Sequence, residues 1–172
     1  MCRLQQKRNA LFVILVDSIL AAIICSECFI LNTTASVPSG LWLKLNSTPK
    51  IGDFVQVPID AFSSTDWVPH EYFRLNLWGK RKPFIKLVAG LQGDVVEQDS
   101  NGLLLINGVP FPDSAPLSHD RAGRFLRPCS LPVVLAPNEV WLLSESPFGF
   151  DSRYLGAAKL SLCRKAVPLL TF

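Results

Sequence analysis

Apolar runs in this chain are short, and turn-forming residues interrupt nearly all of them. Thirteen prolines and ten glycines are spread through the 172 residues, a composition that favours many short strands over a helical bundle. The runs at 41–45, 54–57 and 140–143 are typical of strands that end at turns. The sequence therefore predicts a mainly β fold.

Further strands and turns follow the same pattern. Residues 84–88 and 95–98 are predicted strands, and Asn101-Gly102 and Asn107-Gly108 bracket residues 103–106. Because Asn-Gly pairs favour two-residue hairpin turns, two tight hairpins are predicted here. The remaining regions are predicted to be an aperiodic insertion at 61–82, a long polar loop at 113–132, and a turn followed by one or two strands at 149–170.

The exception to the short runs is the segment at 10–31, which reads ALFVILVDSILAAIICSECFIL. It is about long enough to cross a bilayer as a helix. Basic residues precede it and are expected to stay on the cytoplasmic side, which places the rest of the chain outside. We therefore predict a cytoplasmic N-terminus at 1–9, a membrane anchor at 10–31 and an extracytoplasmic domain at 32–172.

Two observations keep an alternative open for this segment. Asp17 lies mid-span, where an ionisable group is costly. Thr33 and Ala35 form a passable cleavage site, so the segment is alternatively a signal peptide that is removed. Cleavage at that point would leave Ser36 as the new N-terminus.

The charge and cysteine patterns give no signal for a nucleic-acid partner or a metal. The formal charge is +3 and the charges are scattered, so no basic stripe predicts nucleic-acid binding. The five cysteines have no metal-ligand spacing, and we expect no metal and no organic cofactor. Cys129 and Cys163 are equally compatible with a disulfide and with two free thiols.

Lys86 is the one charge in an otherwise apolar stretch at 84–90. Strand side chains alternate, so Lys86 shares a face with Phe84 and Val88. If that face is buried, desolvation lowers the pKa of the amine and makes it a candidate base near neutral pH. The alternative is that Lys86 extends from a sheet edge to water. The spacing alone does not decide between them.

Ser36 is a candidate nucleophile or an ordinary turn residue. Pro38 fixes the local backbone, and Gly40 allows another chain to approach closely. We therefore treat Val37, Pro38 and Gly40 as candidate substrate-binding residues, with the N–H of Ser36 as a candidate oxyanion donor. Ser36 follows the apolar segment by a few residues, so it is expected near the membrane surface, where a membrane-tethered protein is a suitable substrate.

A serine hydroxyl needs a neighbouring base to be a useful nucleophile. The two histidines, His70 and His119, lie in the insertion and in the polar loop, and neither lies on a predicted strand or within a nucleophile motif. No G-x-S-x-G motif is present. The sequence gives a Ser-His-Asp triad little support.

Three segments in order resemble the motifs of the signal peptidase I superfamily, the S26 serine-lysine peptidases. They are Ser36-Val37-Pro38, FIKLVAGLQGD at 84–94 and FDSRYLG at 150–156. The first and last are most similar to the conjugative-transfer branch of TraF-type pilin-processing peptidases. The resemblance covers essentially the whole chain.

This resemblance implies roles for individual residues. Ser36 is the implied nucleophile and Lys86 the implied general base. Asp151 matches an acidic residue near the site, and Arg153 matches its partner. The supporting residues within the same motifs are Ser152, Gly93 and Asp94.

The resemblance also implies a function. It predicts a β-rich catalytic domain in the periplasm, held by a single pass through the bacterial inner membrane, or free in the periplasm if the leader is removed. The implied substrates are prepilin or other precursors with signal peptides, with hydrolysis and cyclisation both open. The alternatives are a catalytically inactive anchored β module of a pilus or secretion apparatus and a self-cleaving regulator.

Two positions depart from the family pattern. The family usually has a serine two residues before the aspartate, whose hydroxyl orients the lysine, but Gly149 stands there. Gln92 replaces a proline in the turn after the lysine. We therefore expect the lysine to be positioned by Asp151, Ser146 or water.

Overall fold

The computed structural model describes residues 9, 12–18, 21, 27–73, 75, 79 and 81–172, and of His70 the backbone only. Within these residues the chain is mainly β, which confirms the predicted class. The strands are β1 Phe29–Asn32, β2 Gly40–Leu45, β3 Phe54–Val57, β4 Phe84–Gly90, β5 Val95–Gln98, β6 Leu104–Ile106, β7 Val109–Pro110, β8 Val133–Val134, β9 Glu139–Leu143, β10 Ala158–Lys159 and β11 Arg164–Thr171.

The larger sheet has the strand order β1-β2-β11-β3-β4-β9-β10. Its neighbouring strands are antiparallel. Strand β4 is an inner strand, paired with β3 on one side and with β9 on the other. Lys86 lies opposite Val55 on β3, so it is not on a sheet edge.

The smaller sheet has the order β7-β6-β5-β8 and contains the two predicted hairpins. Strand β6 pairs with β5 and with β7, both antiparallel. The second turn has Asn107 and Gly108 at φ values of 51° and 76°. Two consecutive positive φ values are what a two-residue hairpin turn of this hand requires, so the Asn-Gly signal predicted this turn correctly. The β5–β6 hairpin also forms at Asn101-Gly102, but its turn is longer, because the N–H of Asp99 donates to the carbonyl oxygen of Leu103 at 2.9 Å.

Three apolar clusters bury both faces of β4. Val88 packs in one cluster, Ala89 in the second and Ile85 in the third. Strand side chains alternate between faces, so Ile85 and Val88 point to opposite sides of the sheet. A polar side chain on this strand is therefore enclosed unless it reaches a cavity.

The predicted membrane anchor at 10–31 is only partly described. Residues 12–18 are helical, whereas 29–31 lie in β1 and pair with β2. A helix with the length and apolarity to cross a bilayer is not found among the described residues. Residues 10–11, 19–20 and 22–26 lie outside the described part, and the anchor stays a prediction.

Two regions predicted as loop or turn contain more structure than expected. Within the loop at 113–132, His119 pairs with Phe125 around a tight turn. The segment after Gly149 contains the helix Ser152–Leu155, which is capped by Asp151. A helix of four residues is too short to produce a detectable periodicity. Cys129 and Cys163 are both free thiols.

Candidate active site

A cavity of about 390 Å³ lies beside the inner strand β4, of which Phe84 and Lys86 contribute to the lining. Ser36 and Lys86 both line it, together with residues from the turn at 117–126 and the loop at 146–150. The fold therefore brings two of the three predicted catalytic residues to one surface, although 49 residues separate them in the sequence. The third, Asp151, lies directly behind the cavity wall.

Asn32 organises the loop that carries Ser36. Its side-chain amide donates to the carbonyl oxygens of Thr34, Val37 and Pro38 at 3.0, 3.1 and 3.0 Å. The amide oxygen of Asn32 accepts from the N–H and the hydroxyl of Thr34. Asn32 is 6% exposed, so its polar atoms are satisfied almost entirely by this loop. No sequence motif described above points to Asn32.

The Ser36 hydroxyl is half-buried and lies 3.1 Å from the hydroxyl oxygen of Thr34. The single hydroxyl hydrogen of Thr34 is directed at Asn32, so Ser36 is the donor in this contact. The carbonyl oxygen of Ser36 accepts from the N–H of Glu145 at 3.0 Å. The loop is thereby fixed to the segment that follows β9.

Lys86 is buried on the inner strand β4 with 1% of its surface exposed. Burial lowers the pKa of its amine to about 8, and the charge of Arg153 acts in the same direction while that of Asp151 opposes it. The ammonium nitrogen lies 5.4 Å from the centre of the Phe84 ring. Of the two alternatives for Lys86, burial of the amine is confirmed, and extension from a sheet edge to water is wrong.

The amine of Lys86 donates to the hydroxyl of Ser144 at 2.7 Å. Ser144 directly follows β9. The side chain that contacts the lysine amine is therefore neither Asp151 nor Ser146, the two side chains that were expected to position it. A Cβ atom placed on Gly149 would lie 2.0 Å from the Ser144 hydroxyl oxygen. Gly149 thus leaves the space that the Ser144 side chain occupies.

Asp151 and Arg153 form a buried ion pair with side chains 0% and 1% exposed. The guanidinium donates to both carboxylate oxygens, each at 2.8 Å. Such a two-point contact fixes the plane of the carboxylate as well as its position. The alternative of a surface ion pair in an ordinary turn is excluded.

Both partners of this ion pair brace the loop at 146–149. Arg153 donates to the carbonyl oxygens of Ser146, Pro147 and Gly149 at 3.0–3.2 Å. The carboxylate of Asp151 accepts from the N–H of Ser144 at 2.9 Å. The pair therefore holds Ser144 and the cavity loop in one arrangement.

Three predicted substrate-binding residues lie outside the cavity lining. Val37 is buried against Trp42 and Ile85, and the carbonyl of Pro38 accepts from Asn32. A Cβ atom on Gly40 would lie 2.0 Å from the carbonyl oxygen of Leu170 on β11. The close approach predicted at Gly40 is thus made by this chain's own C-terminal strand.

The predicted supporting residues, Arg153 included, also lie outside the lining. Gly93 has a φ of 88° and lies in the turn that precedes β5. The carboxylate of Asp94 accepts from the N–H of Leu91 at 2.7 Å within the same turn. The Ser152 hydroxyl accepts from the N–H of Leu142 at 2.9 Å and fixes the short helix against β9.

A network on the cavity rim was not predicted from the sequence. The Tyr72 hydroxyl donates to the carboxylate of Asp120 at 2.6 Å, and Arg124 pairs with the same carboxylate at 2.7 Å. Burial and the bond to Asp120 raise the pKa of Tyr72 to about 12, and the Tyr72 bond holds the pKa of Asp120 below its ordinary value. Residues 120–124 belong to the region predicted only as a long polar loop.

His119 is not among the described residues that line the cavity. His119 is exposed, and its ring nitrogen lies 3.0 Å from the Ser118 hydroxyl. The side chain of His70 lies outside the described part.

A half-buried hydroxyl and a buried amine on one cavity are the elements that nucleophilic catalysis with a lysine base requires. No hydrogen bond joins Ser36 to Lys86 among the described contacts.

Residues 5–164 match the family described as signal peptidase, peptidase S26. The chain belongs to this family. This S26 protein is 33% identical over 132 residues to "Probable conjugal transfer protein TraF" of Sinorhizobium fredii (strain NBRC 101917 / NGR234), covering 73% of the chain and 68% of that protein. It is 30% identical over 155 residues to "Plasmid transfer protein TraF" of Escherichia coli, covering 82% of each. The resemblance to the TraF-like S26 peptidases is confirmed.

Among solved structures, the S26 protein is similar to a signal peptidase I from Enterococcus faecalis V583. The TM-score is 0.43 and the sequence identity 18%, covering 70% of this chain and 97% of the other.

Proposed function

We propose that this S26 protein is a serine endopeptidase in which Ser36 is the nucleophile and Lys86 the general base. The observation that carries the proposal is the burial of Lys86 beside the cavity that Ser36 also lines. A lysine with a pKa of about 8 is partly neutral near neutral pH, and a neutral amine can accept the serine proton.

The proposed reaction begins with a rotation of the Ser36 hydroxyl from Thr34 towards the lysine. Lys86 takes the hydroxyl proton while the oxygen of Ser36 attacks the scissile carbonyl. Backbone N–H groups, with that of Ser36 among them, stabilise the resulting oxyanion. When the peptide bond breaks, the leaving amine takes the proton from Lys86 and the acyl group stays on Ser36.

The acyl-enzyme then has two possible fates. Water attacks it in hydrolysis, and Lys86 accepts a proton from that water. A substrate amine attacks it in cyclisation, and no water is consumed. Both routes regenerate Ser36 with its proton.

We further propose that the substrates are exported precursors such as prepilin and that the chain is anchored in the inner membrane through residues 10–31. The cavity supports a peptide substrate because its lining includes apolar side chains from Leu117, Leu126, Phe148 and Phe150. The relatives named for conjugal and plasmid transfer support a role in conjugation.

Co-expression with a candidate pilin precursor encoded near this protein's gene tests this function. Intact-mass analysis separates the uncut precursor, the cut linear product and a joined product, which is lighter than the cut form by one water. We expect cutting by the wild type and none by Ser36→Ala. Ser39→Ala is the matched control, because Ser39 lies in the same loop but outside the cavity lining. Cutting by Ser36→Ala would refute the proposed nucleophile.

The alternative is an inactive module, for which Gly149 would mark a decayed site. The Ser144 hydroxyl at 2.7 Å from Lys86 disfavours decay, because the lysine has a hydroxyl partner despite the glycine. An inactive module would also leave Ser36 unlabelled by an acylating reagent.

A further inference from the structure

The hydroxyl that contacts Lys86 comes from an unexpected position in the chain. Ser144 is 6% exposed and Lys86 is 1% exposed, so water has little access to their contact. Lys86 has no other hydrogen-bond partner among the described side chains. The orientation of the amine therefore depends on this one oxygen.

Positions 144 and 149 compete for one space beside the lysine. A Cβ atom on Gly149 would lie 2.0 Å from the hydroxyl oxygen of Ser144 and 2.1 Å from its Cβ. Real Cβ atoms cannot approach this closely, so only one of the two positions can carry a side chain. The contested space adjoins the amine of Lys86, because the Ser144 hydroxyl oxygen that occupies it lies 2.7 Å from that amine.

The main chain on each side of Ser144 is also fixed. Its own N–H donates to the buried carboxylate of Asp151 at 2.9 Å. The N–H of Glu145, the next residue, donates to the carbonyl oxygen of Ser36 at 3.0 Å. Ser144 thus connects the lysine, the buried ion pair and the nucleophile loop.

A neutral amine has two N–H groups and one lone pair. When the Ser144 oxygen accepts one N–H, rotation about the last side-chain bond is restricted and the lone pair has a preferred direction. The lone pair must face the Ser36 hydroxyl for proton transfer. Loss of the Ser144 oxygen would leave the amine free to rotate.

We propose that Ser144 is the positioning residue for Lys86 and that Ser144 and Gly149 form an exchanged pair, in which the lysine-orienting hydroxyl has moved from position 149 to position 144. The inference rests on the proposed function for its catalytic consequence. Its structural part, the hydrogen bond to Lys86, is independent of that function.

The experiment uses four variants of the full-length chain in detergent. Ser144→Gly removes the hydroxyl, and Gly149→Ser alone introduces the steric conflict. The exchange variant S144G/G149S moves the hydroxyl to the other position. S144G/G149A is the matched control, because it fills the same space without a hydroxyl.

The first measurement is the kinetics of precursor cleavage. We expect Ser144→Gly to lower kcat on the order of 100-fold with little change in KM, since misplacement of a reacting group slows the chemical step. The exchange variant is expected to recover most of kcat, and S144G/G149A is not. Equal recovery by the alanine control would show a space-filling role and overturn the proposal.

The second measurement is the titration of Lys86 by carbon-13 NMR, with the signal assigned by its loss in Lys86→Met. The Ser144 oxygen stabilises the charged amine, so its removal lowers the pKa, and the exchange variant restores it. The charged groups that face Lys86 are Asp151 and Arg153. The titratable groups across the cavity are Tyr72, Asp120, Arg121, Arg124 and Tyr154.

The two measurements separate the two hypotheses. If the wild type cuts no precursor but the titration shifts and recovers as described, the proposed function fails and the positioning contact stands. If the wild type is active and Ser144→Gly changes neither kcat nor the titration, the positioning role is wrong. A circular-dichroism melt of each variant confirms that the compared proteins are folded.

Discussion

The N–H of Glu145 donates to the carbonyl oxygen of Ser36 at 3.0 Å. This bond joins the loop of the candidate nucleophile to the residue that follows Ser144, the partner of Lys86. The two candidate catalytic residues are therefore held by neighbouring residues at the end of β9, although Ser36 and Lys86 share no hydrogen bond in the described contacts. Displacement of this segment is expected to disturb both at once.

The rate of cleavage should depend on the protonation of Lys86. Only the neutral amine accepts a proton, so kcat/KM is expected to rise with pH through an apparent pKa of about 8 and then level off. A pH–rate profile of the wild type measures this value. His119→Ala should leave the profile unchanged, and a profile that is lost in this variant or in His70→Ala would favour a histidine base instead.

Burial of Lys86 should also lower stability at low pH. Its pKa is about 8 in the folded protein against an ordinary value of 10.5, so the unfolded chain binds more protons between these values and stability rises with pH across that window. At pH 6, removal of the buried charge should stabilise Lys86→Met by about 3 kcal/mol relative to the wild type, whereas the lost Ser144 contact should cost about 1 kcal/mol. The net advantage of the variant should shrink as the pH approaches 10.5. Urea unfolding at several pH values measures this difference, and a pH-independent difference would contradict it.

The buried ion pair should be required for folding as well as for the site. Asp151→Asn leaves the charge of Arg153 without its partner, and breaking a buried pair in this way costs about 3–5 kcal/mol. Asp60→Asn is the control, because Asp60 is 83% exposed in its 3.5 Å pair with Arg81 and surface pairs contribute about 1 kcal/mol or less. Denaturant unfolding compares the two, and equal losses would contradict the bracing role of Asp151.

Much of the fold is predictable from local sequence, whereas the details of the site are not. Alternating apolar residues and the Asn-Gly pairs mark strands and hairpins, because both signals depend on neighbours in the chain. The sequence does not decide whether Lys86 is buried, because strand alternation shows which face of β4 carries the lysine but not whether β4 is an inner strand. The Lys86–Ser144 contact joins residues 58 apart and depends on the space left by Gly149, which local pattern does not reveal.

Gly40 should matter for stability rather than for substrate binding. Its φ is 149° and a Cβ atom there would lie 2.0 Å from the Leu170 carbonyl oxygen, so Gly40→Ala is expected to cost more than the roughly 1–2 kcal/mol of an unfavourable φ alone. Gly123→Ala is the control, because Gly123 has a positive φ of 77° with open space around it. Thermal melts and KM measure the two effects. A raised KM with an unchanged melting temperature would restore the substrate-binding interpretation.

The most direct test of the Ser36–Lys86 pair is the rate at which Ser36 is acylated as a function of pH. A peptide p-nitrophenyl ester serves as the acylating reagent, and peptide mapping by mass spectrometry locates the adduct. The account predicts an adduct on Ser36 whose rate of formation rises through a pKa of about 8, is lost in Lys86→Ala and persists in the matched control Lys82→Ala. Acylation of Ser36 at an unchanged rate in Lys86→Ala, or an adduct only on another residue, would contradict it.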